Sequence, residues 1–81
     1  MEDSLIKVQS AFKAAFDVDP QSINLDTTPA QVPAWDSMGH VVLVSSLEQA
    51  FGVSFDVDEV MGMENVREIV KIVETKLAKK S

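Results

Sequence analysis

An 81-residue chain with 13 acidic and seven basic side chains carries a formal charge of −6, and 46% of its residues are apolar. That size allows one small domain with a shallow core and leaves little room for a deep catalytic cleft, while the apolar fraction excludes a disordered tail. The negative charge disfavours nucleic acid and anionic membrane surfaces and favours basic protein partners; the absence of cysteine excludes disulfides, thiolate metal sites and cysteine nucleophiles.

The opening "MEDSLIKVQS" has acids and no apolar core, so it does not read as a signal peptide. No apolar run reaches transmembrane length, and a soluble cytoplasmic protein without membrane insertion is expected. Leu5, Val8, Phe12 and Phe16 recur at spacings of three and four, the pattern of an amphipathic helix, with Asp3 or Ser4 as its cap. Residues 17–36 then hold all three prolines, Pro20, Pro29 and Pro33, separated by Thr, Asn, Asp and Gln. A structureless connection of that length is uncommon in a compact domain and is often functional or pinned. Ile23, Leu25, Val32 and Trp35 are spaced along it as pins for the core.

A second apolar stripe runs through Val41, Val44, Leu47 and Phe51, joined by Leu43 and Ala50, and Gly52 stands where a helix C-terminal glycine belongs. "FDVDEVMGM" has room for one helical turn, Val57 to Met61, ended by Gly62. A third stripe takes in Val66, Ile69, Val70, Val73 and Leu77, and its basic end "KLAKK" suits a negative helix terminus. Only "VSFDV" alternates like a strand, and it has no pairing partner. The expectation is an all-α fold. One domain over residues 1–81 forms a small four-helix bundle, three main helices plus a short third, with a long loop between the first two.

The segment "PAWDSMGH", residues 33–40, concentrates the chemistry. Asp36, Ser37 and His40 are the residue types of an acyl-transfer triad. Within one helical turn, however, Ser37 and His40 share a face while Asp36 points about 100° away from Ser37. Trp35 also stands where a nucleophile elbow needs its first glycine. Metal sites fare no better: "DVDPQSINLDTT" has Ser22 in place of the turn glycine of a calcium loop and Thr28 in place of its bidentate glutamate. "DVDEVMG" fails likewise, and one histidine without cysteine makes no zinc set. The simplest structural reading is helix initiation, since Asp and Ser are strong N-caps worth about 1 kcal/mol.

The full pattern is similar to the acyl carrier protein family: a long first helix, a long loop, Asp-Ser-Met opening the second helix, then a short third and a final helix. "WDSMGHVVLVSSLEQAFGV" carries the Asp-Ser segment and second helix, and "FDVDEVMGMENVREIV" carries the acidic short-helix region. The resemblance covers essentially the whole chain. It implies that Ser37 receives 4′-phosphopantetheine, derived from coenzyme A, from a separate phosphopantetheinyl transferase. The chain would then be a non-catalytic carrier, presenting acyl groups as thioesters to enzymes of fatty acid, lipid or polyketide-type biosynthesis.

By the same resemblance Asp36, Met38 and Val41 contact partners, together with Glu48, Asp56, Asp58 and Glu59. Leu47, Phe51, Met63 and Ile69 border an interior where a short acyl chain would lodge. The sequence departs from carriers of primary fatty-acid synthesis in one respect: between Ser37 and Phe51 the only acid is Glu48, and Gly39, Val42, Ser45 and Gln49 occupy positions often acidic in that group. A specialised, monomeric, stand-alone carrier is therefore expected, with loading and transfer enzymes that dock through basic or apolar surfaces. A D-alanyl or aminoacyl carrier, and a small acidic helical module without cofactor in which Ser37 is merely a cap, are the alternatives. His40 is left without a role.

Overall fold

The computed structural model describes residues 2–80, in which four helices follow in order: α1 (Glu2–Phe16), α2 (Ser37–Phe51), α3 (Val57–Met61) and α4 (Val66–Lys80). Among the described residues there is no strand. α1 places Val8, Ala11 and Phe12 in the core, with Leu5, Ala15 and Phe16 packed at its rim. The helix already includes Asp3 and Ser4 in its first turn, so neither is the cap that the sequence suggested. First-turn positions tolerate such residues because their N–H groups have no intrahelical acceptor to lose. α1 ends at Asp17 in the left-handed region, φ 55, with its N–H donating to the Lys13 carbonyl at 2.8 Å. Aspartate is among the few residues other than glycine that accept this conformation.

α2 buries Leu43, Val44, Leu47 and Phe51. Val41 and Ala50 are exposed, because at about 100° per residue they fall on opposite flanks of the stripe centred on Leu47. Gly52 closes the helix in the left-handed conformation, φ 65 and ψ 37, and donates its N–H to the Glu48 carbonyl. The one-turn α3 has the expected bounds and starts with a reciprocal cap. The Asp56 carboxylate accepts from the Glu59 N–H, and the Glu59 carboxylate accepts from the Asp56 N–H. α4 contributes Val66, Ile69, Val70 and Val73, all fully buried, with Leu77 and Ile72 beside them.

The long connection is more ordered than its composition implies. Pro20 and Pro29 each open a short 3-10 turn, Pro20–Ser22 and Pro29–Gln31, where a missing N–H costs nothing. Ile23, Val32 and Trp35 are buried as pins, and Leu25 packs partly buried against the same core. Polar groups fasten what the apolar pins leave loose. The Gln9 amide donates to the Ile23 carbonyl at 2.7 Å, and the buried Thr27 hydroxyl accepts from the Asn24 N–H at 2.9 Å. The Thr27 and Leu25 carbonyls accept the N–H groups of Val66 and Arg67, which open α4 and have no intrahelical acceptor. Arg67 also reaches the Asp26 carboxylate at 3.0 Å.

Where the connection meets α2 the two backbones nearly touch. A Cβ on Gly39 would lie 1.9 Å from the Ala34 carbonyl oxygen and 3.1 Å from the Phe16 ring. Glycine at this position is therefore a steric requirement of the crossing. Replacing it forces backbone apart, not merely a flexible side chain. Gly39→Ala is expected to destabilise the fold by about 2–3 kcal/mol. Gly52→Ala, strained by its left-handed backbone, should cost about 1 kcal/mol. Chemical denaturation of the two variants beside the parent checks both the values and their order.

Candidate functional site

Three segments converge on the start of α2: the end of the connection, the first turn of α2, and α3. Asp36 is the N-cap, in extended conformation, and its carboxylate accepts from the Gly39 N–H at 2.8 Å. Ser37 follows as the first residue of α2 and is exposed. The N–H groups of Ser37 and Met38 are first-turn donors without intrahelical acceptors, and they lie at the positive end of the helix dipole. A hydroxyl held there is open to modification and suits an anionic group attached to it.

His40, unassigned from sequence, links all three segments. The buried Trp35 indole N–H donates to His40 Nδ1 at 2.8 Å, and His40 Nε2 lies 2.8 Å from the Val60 carbonyl oxygen. An indole nitrogen only donates and a carbonyl only accepts, so His40 holds its proton on Nε2 and accepts at Nδ1. The two rings lie nearly parallel, 16° apart, and Phe12 meets Trp35 edge-on with centroids 5.1 Å apart. With both nitrogens engaged, His40 has none left to take a proton from Ser37. The Asp36 carboxylate is turned to the Gly39 amide. The triad is excluded by geometry as well as by spacing.

Beside Ser37 opens a shallow hollow of about 540 Å³. Its floor and walls include Trp35, His40, Val60, Met61 and Met63, a mostly apolar lining with Ser37 at its edge. Met38 and Val41 on α2, and Val57 and Met61 on α3, leave from two thirds to four fifths of their surface exposed, and Val42 is about half exposed. Exposed apolar side chains that gather into one patch are a general mark of interaction sites.

The acids divide into two groups. Asp36, Asp56 and Asp58 are exposed, although Asp36 and Asp56 also cap helices. Glu48 is partly buried and its carboxylate accepts from the Phe55 N–H at 2.8 Å, fixing the turn after α2. Glu59 receives both the Asp56 N–H and the Lys76 ammonium, the latter at 2.6 Å. Glu48 and Glu59 are thus committed inside the fold. Of the four residues expected to border an acyl interior, Leu47, Phe51 and Ile69 are packed in the core, and Met63 is buried while also reaching the hollow.

Sequence reasoning missed the tightness at Gly39 and the bridging role of His40. The nearest signals were a glycine inside an otherwise apolar helix and a tryptophan five residues before the chain's single histidine. Neither indicates which backbone carbonyl will be the partner.

Residues 7–73 match the family model described as "Phosphopantetheine attachment site". The chain is 32% identical over 79 residues to an acyl carrier protein homolog of Mycoplasma genitalium, spanning 94% of this chain and 90% of the relative. It is also similar to the solution structure of a holo acyl carrier protein from Geobacter metallireducens, with a TM-score of 0.83 and 31% identity. That match covers 95% of this chain and 88% of the other.

The hydrogen bond from Lys76, the Asp56 N–H and the lysine charge hold the Glu59 carboxyl below its ordinary value of 4.5. A carboxylate depressed on folding contributes stability that is complete above its unfolded value and is lost as pH falls through the folded one. The attachment of α3 should therefore be firm above pH 4.5 and loosen below it. Amide hydrogen exchange across α3, followed on acidification, should show this loss in the parent. Glu59→Gln should exchange faster at neutral pH and lose that part of the acid dependence.

Proposed function

The chain belongs to the acyl carrier protein family, built around a phosphopantetheine attachment site, and from that premise we propose that Ser37 is its attachment residue. The observation that carries this reading is the exposed Ser37 hydroxyl at the first position of α2, directly after the Asp36 cap and inside the matched region. A phosphopantetheinyl transferase would transfer the phosphopantetheine of coenzyme A to the Ser37 oxygen. The new P–O bond forms as the pyrophosphate of coenzyme A breaks, adenosine 3′,5′-bisphosphate leaves, and the hydroxyl proton passes to a base of the transferase or to solvent. The arm supplies a terminal thiol that bears an acyl group as a thioester.

The chain's own residues do the positioning. Asp36 fixes the first turn, so that Ser37 projects from a rigid helix end and not from a mobile loop. The first-turn N–H groups and the helix dipole favour the negative phosphodiester. The chain holds no cysteine to compete with the arm's thiol. Carriers of this family present their cargo and perform no bond chemistry, which agrees with a His40 that is fully hydrogen-bonded within the fold.

Partner enzymes would dock on the face around Ser37. Met38 and Val41, with Met61 from α3, supply apolar contact, and Asp36, Asp56 and Asp58 supply negative charge for basic groups. Because Glu48 is the only acid of α2 and is bonded to Phe55, shape and apolar contact along α2 outweigh charge. The cargo-processing enzymes would be those of fatty acid, lipid or polyketide-type synthesis, working in the cytoplasm on a monomeric carrier.

Incubation with coenzyme A and a broad-specificity phosphopantetheinyl transferase should raise the intact mass by one phosphopantetheine unit. Ser37→Ala should gain nothing while keeping the helical circular dichroism of the parent. Absence of any gain, under conditions that load a control carrier, would sink the assignment.

A further inference from the structure

We propose that His40 is a latch that keeps the arm and its cargo outside the bundle, in the hollow beside Ser37, and that this fits the chain to short acyl groups. The inference rests on Ser37 being the attachment residue. It concerns where the cargo lies, which that assignment leaves open.

A long acyl chain bound for the interior would have to pass along α2. Ten residues at about 1.5 Å each put Leu47 about 15 Å along the α2 axis from Ser37. In helical projection His40 lies about 20° from Leu47, in line with the buried stripe of Leu43, Leu47 and Phe51. Cargo leaving Ser37 for that stripe between α2 and α3 meets His40 first. There the seam is closed by the hydrogen bond from His40 Nε2 on α2 to the Val60 carbonyl of α3, at 2.8 Å.

The latch is itself held from behind. Its other nitrogen accepts from Trp35, whose ring is buried against Phe12. Swinging His40 aside would therefore leave the indole N–H without an acceptor and remove the side-chain donor from the Val60 carbonyl, which would keep the backbone N–H groups of Met63 and the C-cap Gly62. Beyond the latch, Leu43, Leu47, Ile69, Val70 and Val73 have no exposed surface. Outside it the hollow of about 540 Å³ begins at Ser37 and offers Val60, Met61 and Met63 as an apolar rest. A short acyl group reaches this rest without breaking any bond of the fold. A long one would have to stay in solvent or break the latch.

The test uses the protein loaded from coenzyme A, butyryl-coenzyme A and octanoyl-coenzyme A, each form verified by intact mass, with methyl and amide resonances recorded by NMR. The arm and the butyryl group should shift the Trp35 indole N–H and the methyl groups of Met61 and Met63. Octanoyl loading should leave the methyl groups of Leu47 and Ile69 where phosphopantetheine alone leaves them. In His40→Ala the octanoyl form should shift those methyl groups. His40→Gln, which retains an N–H for the Val60 carbonyl, should restore the parent pattern.

Movement of Leu47 and Ile69 in the octanoyl form of the parent overturns the latch, as does a folded His40→Ala variant in which they stay still. If His40→Ala does not fold, the comparison within the parent decides alone. Failure to gain mass at all is a different result: it overturns the Ser37 assignment and the latch together.

Discussion

A buried indole brings one N–H that needs an acceptor, and leaving it unpaired costs about 1–3 kcal/mol. Trp35, 3% exposed and set edge-on against Phe12, imposes that demand on the centre of this fold, and His40 meets it. Because the histidine then accepts at Nδ1, it must carry a proton on Nε2, and that proton finds the Val60 carbonyl. One burial thus fixes a tautomer, the register of the connection against α2, and the position of α3. The backbone follows so closely that the Ala34 carbonyl occupies the space of a side chain at residue 39.

α3 shows why this matters. Five residues are far too few for a helix that is stable alone, so its order comes from what it touches. Val60 and Met63 pack against the core, the Asp56–Glu59 cap closes its start, Lys76 holds Glu59, and His40 holds the Val60 carbonyl. The same ties set one wall of the hollow beside Ser37. Stability and the geometry around Ser37 therefore depend on the same few hydrogen bonds.

The charge of the chain is spent in two ways. Glu59 is committed to α3 and Glu48 to the turn after α2, while Asp26 is paired with Arg67. What remains around Ser37 is a largely apolar surface with Asp36 beside the serine, while Asp56 and Asp58 are exposed at the start of α3. A protein with a net charge of −6 consequently presents less negative charge along α2 than its composition suggests. Contact there is governed by fit and desolvation, with electrostatics acting from the margin.

Periodicity and punctuation made most of the architecture legible. The stripes ending at Phe16, Phe51 and Leu77, the glycines at 52 and 62, and the Asp36–Ser37 helix start all follow from local propensity and from which face must leave water. That was enough to expect four helices, a pinned crossing and an exposed serine. The start of α1 and the flanks of the α2 stripe were misjudged, because a helix limit and the width of a buried face depend on neighbours. Gly39, His40 and the 3-10 turns of the connection were not legible. Their partners are backbone carbonyls of Ala34, Val60, Asp19 and Thr28, and a carbonyl is the same in every residue. Sequence by itself determined which surfaces are buried and where the serine stands. Only the tertiary structure decided which remote carbonyl meets which donor, and so how the serine is framed.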